Sequence, residues 1–573
     1  MQGQGPRGSE RRDEDIGIGR HGRAVEASSL DEFERRQRDE GISERGFAEE
    51  IGIPRTTLQH WRNRKDGLAA SPAAVAFFES PEGVEFLHRF TVAAHLVMIW
   101  MGACGIRLVC LLIELTGLGP FIASSYGAQQ KLSAKLQSAL VDYGGEERAR
   151  LAQGMERKRI TVCEDETFLS EDICLVAMEP VSGFLLLEDY ASQRDAETWN
   201  KAMAAGTEGL NVEVIQSTAD EASALARHAK DMSAEHSPDL FHVQNEVNRA
   251  MALPLLRNEA RAREVLGRAE VELAGQVEAK RAYWSGSRGP GRPPGFDERI
   301  ARAEATTTEA ARELERAQEH RRAWVGAVRS IEEAYHPYDL DSGKPRSTEQ
   351  VAGELESLFD KLDAIAADAR LSTKSEAGLR KARRVTPKMV ASMGFVHEQI
   401  QGRVEALGLP AEQETLLSDN LVPAAYLHRV ASRTQDRDKR HRLRTTLDLL
   451  TSEILFPGGI ASRLDEHERQ LLEKAAYDCA DVFQRSSSCI EGRNGRLSLW
   501  EHAMRRLQPK KLAGLTVIHN YFIKRPDGTT AAERFFSAPP RDLFAWLLER
   551  LPMPSRPARR RPRPEKQPLF QAG

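Results

Sequence analysis

Hydrophobic and polar positions along the chain follow two rhythms. Between about 158 and 243, short apolar runs stand apart: RITVC, ICLVAMEPV, FLLLEDY, NVEVIQS and DLFHV. Runs this short, bounded by turn signals such as Ser182-Gly183, read as strands. Helical patterns fall between the third and fourth runs (DAETWNKAMAAG) and between the fourth and fifth (EASALARHAK). The expectation is a five-stranded sheet with helices packed against it.

Elsewhere the rhythm is helical. Residues 257–335 read as a hairpin of two long arms. On the return arm, Ile300, Ala303, Thr307, Ala310, Leu314, Ala317, Arg321, Trp324, Val328 and Ile331 alternate three- and four-residue steps, the seam of a coiled coil. The outgoing arm offers Ala262, Leu266, Ala269, Leu273, Val277 and Trp284, and GSRGPGRPPG breaks the helix between the arms. Further amphipathic helices follow over 345–475. The pattern divides the chain into a polar, disordered 1–30, a small helical unit (31–70), a helical region (80–155), the first part of the sheet domain (156–250), a helical insertion (251–475), a C-terminal part (476–550) and a basic tail (551–573).

The small unit carries ISERGFAEEIGIPRTTLQHWRNRK (42–65). Phe47, Ala48 and Ile51 make one helix face, Gly52 supplies a turn, and Leu58 and Trp61 anchor a second helix. Its other faces show Arg55, Thr56, Gln59, His60, Arg62 and Arg64. This is the layout of a helix-turn-helix, whose second helix offers polar side chains to base edges and arginines to phosphates. A plain three-helix packing unit with a solvated basic face is the competing reading. GIRLVCLLIELTGLGPFIASSYGAQQKL (105–132) repeats the order of helix, turn and polar helix, as a second DNA-binding unit or as core helices.

Composition narrows the class. Net charge is −4, which excludes a uniformly basic nucleic-acid binder, although the segment from 481 onward is net basic. Six scattered cysteines form no CxxC pair, so no zinc site or disulfide framework is expected. The N-terminus has no apolar targeting core. VAAHLVMIWMGACGIRLVCLLI (92–113) has the length of a membrane span, but His95 and Arg107 lie inside it, and a central Arg costs about 2.5–3.5 kcal/mol. Gly102 and Gly105 also divide it, so a buried helix pair in a soluble, cytoplasmic protein with no membrane partner is expected.

The chemistry starts at RITVCEDETF, where a strand runs into Glu164, Asp165 and Glu166. Strand alternation sends neighbours to opposite faces, and Asp165 is the candidate. Asp220, in VEVIQSTADEASAL, follows another strand; capping the next helix is its alternative role. Two carboxylates at the ends of neighbouring strands repel unless a cation intervenes, and Mg²⁺ prefers carboxylate oxygens while keeping waters. A pair of such ions clamps both oxygens of a phosphodiester displacement. Glu491, in RSSSCIEGRNGRLSLWEHAMRRL, offers a third acid among Ser, Asn and Arg side chains, with Arg493 and Arg496 placed for phosphate. A solvated helix position is its alternative. His242 reads as a polar core or strand-end residue rather than a ligand, and Trp199 and Trp500 as packing.

In their order along the chain, VCEDETF, STADEA and SCIEGRN resemble the catalytic segments of bacterial insertion-sequence DDE transposases, and LTVIHNYFIKRPDGTTAAERFF (515–536) resembles their closing segment, while the long gap between Asp220 and Glu491 departs from a minimal transposase. The resemblance covers about 158–250 and 475–537, and the helix-turn-helix in kind. It implies a multidomain α+β chain: a helical DNA-binding region, then an RNase H-like core with a five-stranded mixed sheet, interrupted by an all-helical insertion. It also implies that Asp165, Asp220 and Glu491 hold two Mg²⁺ or Mn²⁺ ions for cleavage and strand transfer. The partners implied are double-stranded DNA at the element's inverted repeats and at the target, and a second copy of the chain, working at the bacterial nucleoid. The Tyr–Arg–Glu–Lys pattern of one hairpin-forming group is absent around Glu491. A DNA-binding regulator, a catalytically inactive descendant and a nuclease that does not join ends are the rival functions.

Overall fold

The computed structural model describes residues 22–287, 291–504 and 506–557. Residues 1–21, the tip of the hairpin turn and most of the basic tail lie outside these. The described chain opens with α1 (Gly22–Asp39), α2 (Glu44–Glu50) and α3 (Arg55–Asp66). Helix α1 starts inside the stretch expected to be disordered. Its polar composition hides a face: Ala27, Leu30 and Phe33 recur every three residues and are buried. Phe33, Phe47 and Leu58 close a small core of their own. The Ser43 side chain caps α2 by accepting from the Gly46 N–H, and Gly52 turns the chain at φ +71°.

Next come α4 (Pro72–Phe78), α5 (Pro81–Ala94), α6 (Ile106–Leu115) and α7 (Tyr126–Ala152). Helix α5 continues into a π-helical turn over His95–Met101. Together, Pro81–Met101 is long and apolar enough to cross a membrane, with 56% of the span buried inside the protein. The chain breaks between Gly102 and Gly105, as two glycines there predict. The segment 105–132 forms α6 and the start of the long α7. Gln129, the side chain best placed there to read a base, is instead buried. It donates to the Ala123 carbonyl at 2.7 Å and meets His95 Nε2 at 2.8 Å.

The sheet strands are β1 (Lys158–Leu169), β2 (Asp172–Glu179) and β3 (Phe184–Ala191), then α8 (Ala196–Thr207), β4 (Val212–Ala219), α9 (Ser223–Asp231) and β5 (Glu235–Pro238). The order is β3-β2-β1-β4-β5. Strands β1, β2 and β3 pair antiparallel, while β1, β4 and β5 pair parallel. Four of the five expected strands stand where the apolar runs placed them. The fifth does not: the strand is Glu235–Pro238, and DLFHV opens a helix. Asp239 caps that helix by accepting from the Phe241 N–H at 2.8 Å. Leu240, Val243 and Val247 then bury at helical spacing.

That helix is α10 (Leu240–Ser285), which pairs with α11 (Phe296–Ala334) as the expected hairpin. The return seam holds: Ala303, Ala310 and Ile331 are buried, and its other members except Arg321 are half-buried. Arg321 pairs with Glu259 across the arms at 2.9 Å. The outgoing seam slips near its end. Val277 and Trp284 are exposed, and Tyr283 turns inward, 5.3 Å from the Phe296 ring. The insertion continues through α12 (Thr348–Asp368), α13 (Thr373–Arg383), α14 (Thr386–Ala406), α15 (Ala411–Leu416), α16 (Val422–Arg433), α17 (Arg437–Ile454) and α18 (Glu466–Ala480). The chain then returns to the sheet with α19 (Ser488–Met504), α20 (Pro509–Tyr521), α21 (Ala531–Phe536) and α22 (Leu543–Arg550).

Two large cores mark the division. One unites residues 87–225 with 490–551; the other lies within 240–483. The helices of 80–155 are therefore part of the sheet domain, and the insertion is a body with its own interior. Trp199 and Trp500 are buried in the first core, as expected. The described end of the tail is strapped down: Arg556 pairs with Glu26 and Glu79, and Arg23 with Glu79 at 3.1 Å.

Candidate active site

Central strand β1 separates its three acids by alternation. Glu164 and Glu166 point to the α8/α9 side. Ser217 Oγ donates to Glu164, and His228 Nε2 lies 3.1 Å from its other oxygen; both Glu164 and His228 are fully buried. Arg194 Nη1 and Trp199 Nε1 donate to Glu166 at 3.3 and 3.4 Å. Asp165 points to the opposite side, toward α19, where Asn494 Nδ2 donates to it at 3.0 Å. Its other oxygen accepts from the Glu166 N–H at 2.9 Å.

Asp220 directly follows β4. It does not cap α9, whose N-cap is Ala222. It makes a local turn instead, accepting from the Ala222 N–H at 2.9 Å. Its neighbour Glu221 is committed elsewhere, to Lys388 and to His236 at 3.3 Å. Glu491 sits in the first turn of α19 and is half-buried. Among the described residues, none of Asp165, Asp220 and Glu491 has an ion-pair partner, whereas Glu164, Glu166, Glu188 and Glu221 all do.

Asp165 feels the other two acids. Burial pushes the Asp165 carboxyl up to about 7. The Glu166 N–H and His242 oppose that shift, and the charges of Glu491 and Asp220 add to it. A half-buried carboxylate raised first by desolvation and further by two other carboxylates marks an anionic pocket short of positive charge. Its oxygen donors suit a hard divalent cation. The spacing is open, however: among the described residues no three His, Cys, Asp or Glu side chains stand close enough to grip one ion. The donor chemistry fits Mg²⁺, and ligation requires the acids to draw together.

This electrostatic strain has a measurable consequence. Asp165 keeps its proton up to about pH 7 when folded and to about 3.9 when unfolded. Between these values the folded chain binds more protons, so stability falls as pH rises, and the full cost is present above pH 7. Asp165→Asn is therefore expected to stabilise the chain at pH 8 by on the order of 2–4 kcal/mol, with the gap closing by pH 4. Thermal melts in a chelator across that range check it; an equal gap at both ends would contradict the assignment.

Two neighbours escaped sequence reading. Asn494 lies three residues beyond Glu491, on the same face of α19, and that spacing could have flagged it. His242 lies in the first turn of α10 rather than at a strand end, and bears on Asp165. Beside it, Ser487 Oγ donates to the buried Asp239, and the Leu240 N–H donates to the Arg485 carbonyl at 2.9 Å. The two ends of the insertion are thus pinned together at the edge of the acid pocket.

Of the residues expected to meet phosphate near Glu491, only Arg496 is exposed. Arg493 is buried and spent on Glu188 of β3, donating from Nε and Nη2 at 2.6 Å each. One turn of helix sends it to the sheet, because its position on α19 faces the core with Ile490 and Leu497. On α3, Arg55, Thr56 and His60 are exposed. Glu44 holds Gln59 at 3.1 Å, Arg55 at 3.6 Å and also Arg62, and Arg64 lies 3.5 Å from Glu26. The basic face is present, with part of its charge neutralised within the unit.

Residues 417–563 match a family model described as a family of unknown function, DUF6399. The match takes in α19 and Glu491 and stops short of Asp165 and Asp220. A search of curated proteins finds no match.

Proposed function

We propose that the chain is a metal-dependent DNA transposase, cleaving phosphodiesters at the ends of an insertion element and joining the freed ends to target DNA. One observation carries the reading. Three carboxylates without ion-pair partners come from β1, the end of β4 and α19, and the charges of Asp220 and Glu491 both raise Asp165. The mixed sheet, with β1 central between antiparallel and parallel halves, supports an RNase H-like core. The helical body between β5 and α19 sits where some transposases carry an insertion.

Asp165, Asp220 and Glu491 would hold the two Mg²⁺ or Mn²⁺ ions, which when bound activate water and neutralise the leaving oxygen. The chain's own groups do the positioning. Asn494 holds Asp165 by one oxygen and the Glu166 N–H holds it by the other. Arg496 is exposed for phosphate. Helix α3 docks the duplex through Arg55, Thr56, Gln59, His60, Arg62 and Arg64, once phosphate replaces Glu44 and Glu26 as their partner. A second copy of the chain would pair the two element ends, with the α10–α11 hairpin as the contact surface.

The test uses duplex DNA carrying the segments that flank the gene. With Mg²⁺ or Mn²⁺, transposase activity yields cut ends and joined products. Cutting without joining identifies a nuclease. Binding with no cutting under either metal identifies a DNA-binding protein, the reading that the open spacing of the acids favours. In the same assays, Arg62→Ala is expected to weaken duplex binding and to lower the slope of log affinity against log salt by about one. An unchanged slope would remove α3 from the DNA interface.

A further inference from the structure

Two thiols sit beside the acid pocket and take no part in the reaction proposed above. Cys163 lies on β1 two residues before Asp165, and Cys489 lies on α19 two residues before Glu491. Both are free. Their side chains lie close enough to act on each other. The Cys163 thiol also donates to the Ser486 carbonyl, at 3.7 Å, just ahead of α19. Cys163 is fully buried, while Cys489 keeps partial access to solvent. A buried thiol in contact with an accessible one is the arrangement in which one sulfur meets an oxidant and the other resolves it. Of the other four cysteines, Cys104 lies in the break before α6, Cys110 on α6, Cys174 on β2 and Cys479 on α18.

We propose that Cys163 and Cys489 are a disulfide-forming pair that staples β1 to the first turn of α19. The oxidant is a small-molecule disulfide. Cys489 sulfur attacks it, an S–S bond breaks, and one thiol leaves carrying the proton. Cys163 sulfur then attacks the Cys489 sulfur of the mixed disulfide and expels the second thiol with the second proton. Two electrons pass from the protein thiols to the oxidant, and one S–S bond replaces another. The new bond fixes α19 on the sheet within two residues of Asp165 and of Glu491. Ligation of metal requires those acids to draw together, so the stapled chain is held in the open arrangement. This last consequence rests on the proposed function; the disulfide itself does not.

The test treats the full chain with oxidised glutathione and maps its peptides without reduction. The expected result is a single cross-link between the Cys163 and Cys489 peptides, reversed by dithiothreitol, with slower amide exchange in the first turns of α19. Cys163→Ser is expected to stop at the mixed disulfide on Cys489. The proposal is overturned if the wild-type chain also stops at the mixed disulfide, if Cys489 pairs with another cysteine, or if both thiols stay open to alkylation. Cleavage assays then separate the two ideas. A cross-linked chain that cleaves as fast as the reduced one overturns the staple's effect on the site. A reduced chain that never cleaves counts against the transposase reading and leaves the cross-link result standing.

Discussion

Asp165→Asn, Asp220→Asn and Glu491→Gln are each expected to slow metal-dependent strand cleavage on the order of 10³-fold while leaving duplex binding intact. Metal polarisation of a phosphoryl oxygen contributes several kcal/mol of transition-state stabilisation, and each 1.36 kcal/mol is tenfold in rate. On the proposed function, removing one of three carboxylates would remove a ligand that the other two cannot replace. The informative control is Glu166→Gln. Glu166 is adjacent to Asp165 in sequence, yet it faces Arg194 and Trp199 across the sheet. Its loss is expected to leave cleavage near the wild-type rate. Single-turnover cleavage with Mn²⁺ separates the four variants. Should Glu166→Gln and Asp165→Asn prove equally damaging, the loss would reflect general damage to β1, and the pocket would not be the reacting site.

The same alternation explains how the sequence separates Asp165 from Glu164 and Glu166. Period two is a property of any strand, so the assignment needed only that β1 be a strand. The hairpin seam was legible for a similar reason, since a sustained seven-residue rhythm has one common structural cause. The failures are equally physical. DLFHV is apolar enough for a strand, and what decides its helix is Asp239 capping, a short-range contact that outweighs composition. Helix α1 hides beneath polar residues because its buried side chains include Arg23 and Glu26, whose partners lie near residues 79 and 556. No local pattern announces partners so distant. Arg493 was misjudged for the same reason, because its fate depends on Glu188, which lies far away along the chain. The acidic character of the pocket was legible as residue types, whereas its open spacing belongs to the folded arrangement alone.

That buried pair sets the largest expected effect on stability. Arg493 and Glu188 are both nearly inaccessible, joined by two parallel hydrogen bonds, with Thr516 Oγ1 donating to the same carboxylate. Such a pair adds little net stability over an apolar replacement, but breaking it strands a charge in the core. Arg493→Met is therefore expected to destabilise the sheet domain by about 3–5 kcal/mol. Glu188→Met combined with Arg493→Met is expected to recover most of that loss, since no buried charge remains. Denaturant unfolding of the single and double variants measures the difference. The pair also sets the rotation of α19 about its axis: Arg493 anchors one face to β3 while Asn494 meets Asp165 on another, the face that also carries Glu491. The double variant thus separates two roles. If it regains stability but still cleaves slowly, the ion pair orients the catalytic helix. If both recover together, the pair serves the fold alone, and Glu491 is held in place by the apolar contacts of Ile490 and Leu497.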